Sequence, residues 1–240
     1  MAIFLIDLPP NDMERRLGDA LGVYVDAMRY PRGTENQRAS MWLEHIRRGG
    51  WQAVAAVEVA TDAQTEAADL AGVAEEAGVI DVAESPDGQS PPAAELSDAP
   101  LLGVAYGYPG APGQWWQQQV VLGLQRGGSP PQAIAQLMNS YFELTELHIH
   151  PRAQGHGIGE ALARRLLAGR SEENVLLSTP ETRGEPNRAW RLYRRLGFND
   201  VIRRYHFAGD PREFAILGRA LPLQETFVRD VEPPNADLAR

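Results

Sequence analysis

The chain has 240 residues, enough for one sizeable core or two small ones, and a formal charge of −9. That balance argues against a nucleic-acid partner held by bulk positive charge, and the lack of cysteine excludes disulfides, thiolate metal sites and thiol nucleophiles within the chain. All 23 basic residues are arginine, as a GC-rich coding sequence would give, so no lysine side chain is present to be acylated.

Ile3 to Leu8 reads as a strand. The apolar run there is short, lacks a basic flank and stops at Pro9-Pro10, so it is neither a signal peptide nor a membrane span, and a cytoplasmic, membrane-free protein is expected. Two helical stretches follow. The first, about Asp12 to Met28, places Leu17, Leu21, Tyr24, Val25 and Met28 near helical spacing and is broken by Pro31 and Gly33; the second starts with Thr34 as its expected N-cap and ends at Gly49-Gly50. Trp51 to Ala60 is valine-rich and apolar, a buried strand.

Eleven acidic residues and no basic one lie between Gly49 and Gln125, whereas the rest of the chain carries 23 basic against 21 acidic residues. Residues 61–99 consist largely of alanine, acid, serine and proline. Such a segment buries too little apolar surface to offset its ordering entropy, so a mobile acidic insertion with at most transient helix is expected. Leu101 to Tyr108 resumes as a strand, the natural hairpin partner of residues 51–60. The pair Trp115-Trp116 falls in a connection, where one indole lines a cleft or both anchor the neighbouring helix around Pro131 to Tyr141.

Phe142 to His150 is a strand, and a glycine-rich turn and an amphipathic helix, Glu160 to Ala168, follow. Asn174 to Thr179 is a strand, Asn187 to Leu196 a helix closed by Gly197, and Val201 to Phe207 and Phe214 to Leu221 are closing strands. The order β-αα-β-β-β-α-β-α-β-β predicts a single α/β domain over residues 1–222, with a mixed, mostly antiparallel sheet flanked by helices and a tail at 223–240.

The turn itself, Gln154-Gly155-His156-Gly157-Ile158-Gly159, joins a strand to a helix. Consecutive backbone N–H groups there, at the positive end of a helix dipole, suit a phosphate or pyrophosphate. A tight turn that lets strand and helix pack is the alternative. The spacing does not fit a Rossmann fingerprint, where the third glycine comes one residue later, nor a P-loop, which needs Gly-Lys.

In context the segment resembles the GCN5-related N-acetyltransferase (GNAT) family. Gln154 to Gly159 matches its Arg/Gln-x-x-Gly-x-Gly/Ala motif, and Leu147-His-Ile-His-Pro151 resembles its Leu-x-Val-x-Pro strand end. Ala189-Trp-Arg-Leu-Tyr-Arg-Arg-Leu-Gly-Phe198 resembles its second signature, Ala-x-x-Leu-Tyr-x-x-Leu-Gly-Phe. The likeness is specific over residues 140–221 and looser before. It departs at Pro186, where the family often has asparagine; Asn187 stands one residue late, so no asparagine role is carried over.

The resemblance implies an acetyltransferase that moves an acetyl group from acetyl-CoA to a primary amine by direct attack on the thioester, with a non-catalytic acetyl-CoA-binding module as the alternative. It implies cofactor contacts from Ile149 and from Gln154, Gly155, His156, Gly157, Ile158 and Gly159, and a proton for the leaving thiolate from Tyr193. A base must make the attacking amine neutral. Glu146 is the first candidate, sharing a strand face with His148 and His150, while strict alternation places Glu143 on the opposite face. Glu146, His148 and His150 can each equally be an ordinary solvated or hydrogen-bonded strand residue, the histidines above all, and Glu143 is the weaker candidate for a base. His148, His150 and His156 are too few for a metal cluster without cysteine, and no metal is expected. The expected partner is a small-molecule or peptide amine, met by a monomer or homodimer.

Overall fold

A computed structural model describes residues 2–59, 92–181 and 188–223. Most of the acidic insertion, Pro186, Asn187 and the tail from residue 224 lie outside the described residues.

Seven strands form one sheet in the order β1-β2-β3-β4-β5-β7-β6. Strands β1 (Ala2–Asp7), β2 (Gln52–Val59), β3 (Leu101–Pro109) and β4 (Tyr141–Ile149) are consecutive antiparallel neighbours. β5 (Asn174–Pro180) runs parallel to β4, and β7 (Phe214–Ala220) lies antiparallel between β5 and β6 (Asn199–Tyr205). The sheet is mixed and mostly antiparallel, as the element order predicts, and the expected partners do pair, Gln52 to Val57 against Gly107 to Leu101.

The first helical stretch is broken in two. α1 (Pro10–Arg15) has proline at its first position and ends at Arg16, whose φ of −98° leaves the helix before α2 (Leu17–Met28) begins. The buried Arg16 donates to the carbonyls of Ser97 (3.0 Å) and Ala99 (2.6 Å), tying this break to the returning end of the acidic segment. There the composition predicts no fixed element, yet Ala93–Asp98 is a short helix, α4, with Leu96 against the neighbouring core. In α3 (Thr34–Ile46) the N-cap is Gly33, at φ 98°, rather than Thr34. Thr34 is the first helical residue, and its hydroxyl donates to the Pro31 carbonyl at 2.7 Å, so it is spent on the preceding turn.

Trp115–Arg126 is a full helix, α5, where the sequence suggests a connection; α6 (Pro131–Asn139) packs beside it. Trp116 is buried and donates to Ser178 Oγ at 3.3 Å, whereas Trp115 stays half exposed against Phe207. After β4 a single 3-10 turn (Pro151–Ala153) leads to α7 (Ile158–Leu167), and α8 (Arg188–Arg195) precedes β6.

The two faces of the sheet differ. One is a continuous core under α7 and α8, with Ile158, Leu162, Leu166 and Leu167 fully buried; burial of each such side chain is worth about 1.5–3 kcal/mol. The other carries two separate cores, one beneath α1–α3 and one beneath α5 and α6, and the boundary between them falls over β4.

Candidate active site

β4 leaves its parallel partner early. The pairing with β5 is confined to Tyr141↔Asn174, Phe142↔Val175 and Glu143↔Leu176, after which the strands part. His150 N–H donates to the Leu102 carbonyl at 2.8 Å, so by the alternation of an antiparallel ladder His148 and Glu146 turn their backbone groups toward β3. Leu147 and Ile149 turn theirs into the opening toward β5.

The glycine turn stands at the head of that opening. Gly155 (φ 95°) and Gly157 (φ 79°) occupy left-handed conformations that an L side chain resists. Gly159 serves a different end: a Cβ there would lie 3.2 Å from Leu192 Cδ2, so its smallness lets α8 approach α7. Gly157 caps the helix, and its carbonyl accepts from Glu160 and Ala161 at 3.0 Å each. The N–H groups of Gly157, Ile158 and Gly159 therefore lead the helix with no acceptor among the described residues, at the positive end of its dipole. The Ile158 side chain is core, leaving only its backbone for the turn, and His156 is exposed. Gln154 is engaged: its Nε2 donates to the Ile149 carbonyl (2.9 Å), and its Oε1 accepts from Arg188 (3.2 Å), bracing the turn against the strand end.

Tyr193 lies on α8, its ring against Phe198 at 5.7 Å between centroids and its carbonyl accepting from Phe198 N–H. Burial, reinforced by the charge of Glu146, pushes its phenol well above the ordinary range, so it keeps its proton. Glu146 belongs to the opposite face of the sheet, yet its charge reaches Tyr193 across the gap. Tyr193 belongs to the core under α7 and α8, and Glu146 to the other face of β4.

On its own face Glu146 bonds His148, Oε2 to Nε2 at 2.5 Å, and the Tyr24 ring meets His148 edge-on at 4.9 Å. Desolvation, aided by Glu146, pushes the Tyr24 phenol up to about 12, while Arg38, 5.7 Å over its ring, opposes the rise. His45 on α3 pairs with Tyr106 (3.0 Å), and burial lowers it to about 4, leaving it neutral. His150 has left the strand and lies 3.5 Å from Asp26. Arg212 in the β6–β7 connection donates to Tyr30 Oη at 2.8 Å.

The alternation that puts Glu143 on the opposite face fails. Tyr106 is paired with Glu146 but Gly107 with Leu144 and Tyr108 with Glu143, so Thr145 is an extra residue in β4. The bulge turns Glu143 onto the face of Glu146. Gly107 marks the spot: a Cβ there would stand 2.2 Å from the Glu143 carbonyl oxygen, and a glycine in a strand interior is the sequence signal for such a bulge. Glu143 is buried, accepts one bond from Tyr108 Oη at 3.4 Å, and is raised by desolvation to about 8.

A mixed sheet opened between two parallel strands, with a glycine-capped helix at its head, defines an α/β fold with a backbone-lined cleft at its centre. The GNAT acetyltransferase domain model matches residues 120–200. The chain is 76% identical over 223 residues to a GCN5-like protein acetyltransferase, Rv2170, of Mycobacterium tuberculosis, covering 93% of this chain and 100% of that one. The chain belongs to the GNAT acetyltransferase family. Among solved structures, one assigned to that family from Desulfovibrio desulfuricans superposes with a TM-score of 0.53 at 14% identity, covering 91% of this chain and 99% of that one. One assigned as an acetyltransferase from Acinetobacter baylyi gives 0.51 at 14% identity, covering 93% and 95%. At that identity these two speak to the fold. Among the described residues, no helix is long and apolar enough to cross a membrane.

Proposed function

We propose that the protein transfers an acetyl group from acetyl-CoA to a primary amine of a small molecule or peptide, by direct attack of the neutral amine on the thioester. The observation that carries this is the opening between β4 and β5 below the glycine turn, with Tyr193 in the core on one face of the sheet and Glu146 on the other face of β4. Acetyl-CoA supplies the thioester carbonyl and the thiolate leaving group. The chain's own groups fit it. The N–H groups of Gly157, Ile158 and Gly159 suit its pyrophosphate, in a turn that Gly155 shapes and Gln154 braces, with the His156 backbone alongside.

The free edge of β4 suits its extended arm as an added strand, with the Ile149 N–H as donor. The Leu147 N–H faces the same gap and is placed to stabilise the developing oxyanion. Glu146 takes the proton from the ammonium, directly or through water, and Tyr193 gives its proton to the departing sulfur. Burial keeps the Tyr193 phenol protonated, so its hydroxyl is available to hydrogen-bond the departing sulfur, although the same burial makes it a weaker acid.

Calorimetric titration with acetyl-CoA, CoA and NAD tests the donor site. Binding of the first two and not of NAD is expected, followed by thiol release with members of an amine panel. Absence of CoA binding would reduce the glycine turn to a packing device.

A further inference from the structure

The two edges of the sheet, β1 and β6, are built differently. β6 discourages a partner. Its register against β7 shifts between Asp200 and Ile202 and again between Ile202 and Tyr205, and Arg204 stands in a left-handed conformation at φ 53°. Asp200, Arg203 and Arg204 put charge along it. Bulges and charges of this kind keep a sheet edge from pairing with another chain. β1, Ala-Ile-Phe-Leu-Ile-Asp, has neither bulge nor proline, and its pairing with β2 runs unbroken from Ala2 to Asp7. Its one charged side chain, Asp7, is held by Arg165 at 2.9 and 3.1 Å.

Leu8 N–H donates to the carbonyl of Ala53, the residue opposite it, so by antiparallel alternation Ala2, Phe4 and Ile6 also bond to β2. Ile3, Leu5 and Asp7 turn their backbone N–H and C=O groups outward, where they meet no partner among the described residues. Phe4, Leu5 and Ile6 are only half-buried, the first and last against the core beneath α1–α3 and Leu5 against the core under α7. An apolar strand that ends a sheet with its ladder groups open is a template for another strand.

We propose that β1 is the contact surface for a second copy of this chain, paired antiparallel about a twofold axis at Leu5. In that register Leu5 lies opposite Leu5 of the partner subunit, Ile3 opposite the partner's Asp7, and Asp7 opposite the partner's Ile3. Each such pair exchanges two hydrogen bonds, so every outward group of β1 is satisfied on both chains. A slip of two residues would carry Ile3 or Asp7 past the end of the strand. On the α1–α3 face Phe4 stands across from the partner's Ile6, an aromatic against a β-branched side chain, a pairing that stabilises antiparallel strands. Like charges do not meet along the ladder, since each Asp7 faces an isoleucine and is compensated by its own Arg165. The contact uses the same patch on both chains and therefore closes at two copies, with β6 guarding both ends of the enlarged sheet.

Light scattering and hydrogen exchange on the intact protein, from about 100 µM down to about 1 µM, test this without any variant. A dimer is expected at the upper end, with the amides of Ile3, Leu5 and Asp7 slow. Where dilution yields monomers, those amides should speed up roughly tenfold or more, while Phe4 and Ile6, bonded to β2, keep their rates. A monomer throughout, or a dimer whose outward amides exchange fast, would overturn the proposal. Leu5→Lys and Leu5→Glu each bring like charges together on the axis, so each alone should be monomeric, and an equimolar mixture should recover a mixed dimer. A mixture that stays monomeric, with both chains folded by circular dichroism, would place the contact elsewhere. If either variant fails to fold, the exchange pattern of the wild type decides alone.

Discussion

The face under α7 and α8 is one unbroken apolar core, whereas the face under α1–α3 and α5–α6 is divided in two, with Glu143, Glu146 and His148 along the divide. The first face solves its problem with backbone: a capped helix, two left-handed glycines and a free strand edge. The second solves its problem with side chains whose charges must be managed in a partly dry setting. Backbone solutions tolerate varied side chains around them, while the carboxylate floor depends on each residue and on the bulge that orients it.

The largest expected effect separates the faces by pH. Glu143 is raised when folded, so its contribution to stability is fully present below the ordinary carboxylate range and is lost as pH rises to about 8. That loss is on the order of 4 kcal/mol. Urea denaturation at about pH 5 and pH 8 should show the decline in the wild type and a much flatter profile in Glu143→Gln. Next, Gly157→Glu puts a carboxylate and a strained left-handed residue at the phosphate seat. It should weaken acetyl-CoA binding by roughly two to three orders of magnitude in calorimetry.

Glu146→Gln should leave donor affinity intact and lower kcat/KM by about 10²-fold, which would confine its role to the divided face. Tyr193→Phe is the mildest of the four, expected to lower kcat by about tenfold with the fold unchanged, since its ring packing against Phe198 is retained. If instead Tyr193→Phe altered donor affinity and left kcat intact, the phenol would belong to binding and not to proton transfer.

The same contrast governs what the sequence reveals. The glycine turn and the Leu192-Tyr193 helix are contiguous motifs whose spacing carries their geometry, so that end of the molecule is readable residue by residue. The divided face is assembled from β3, β4 and two helical layers far apart in the chain. Its arrangement turns on a one-residue shift between Tyr106 and Gly107 that single-strand alternation does not register. The glycine between two tyrosines was the available signal. α5 was legible and missed: Trp116, Val120 and Leu124 recur at i, i+4 and i+8, the apolar stripe of a helix, but the adjacent indoles and the glutamine run suggest a connection instead. Thr34 misleads because a good capping residue was taken up by the turn before it.

Only three residue pairs join β4 to β5, so the two halves of the sheet are held together more by the layers above and below than by the ladder itself. In hydrogen-exchange terms the amides of Leu147 and Ile149 should be fast for residues at the centre of a seven-stranded sheet. They should slow when a donor arm lies along that edge, so the bound ligand acts as the missing rung that makes the sheet whole.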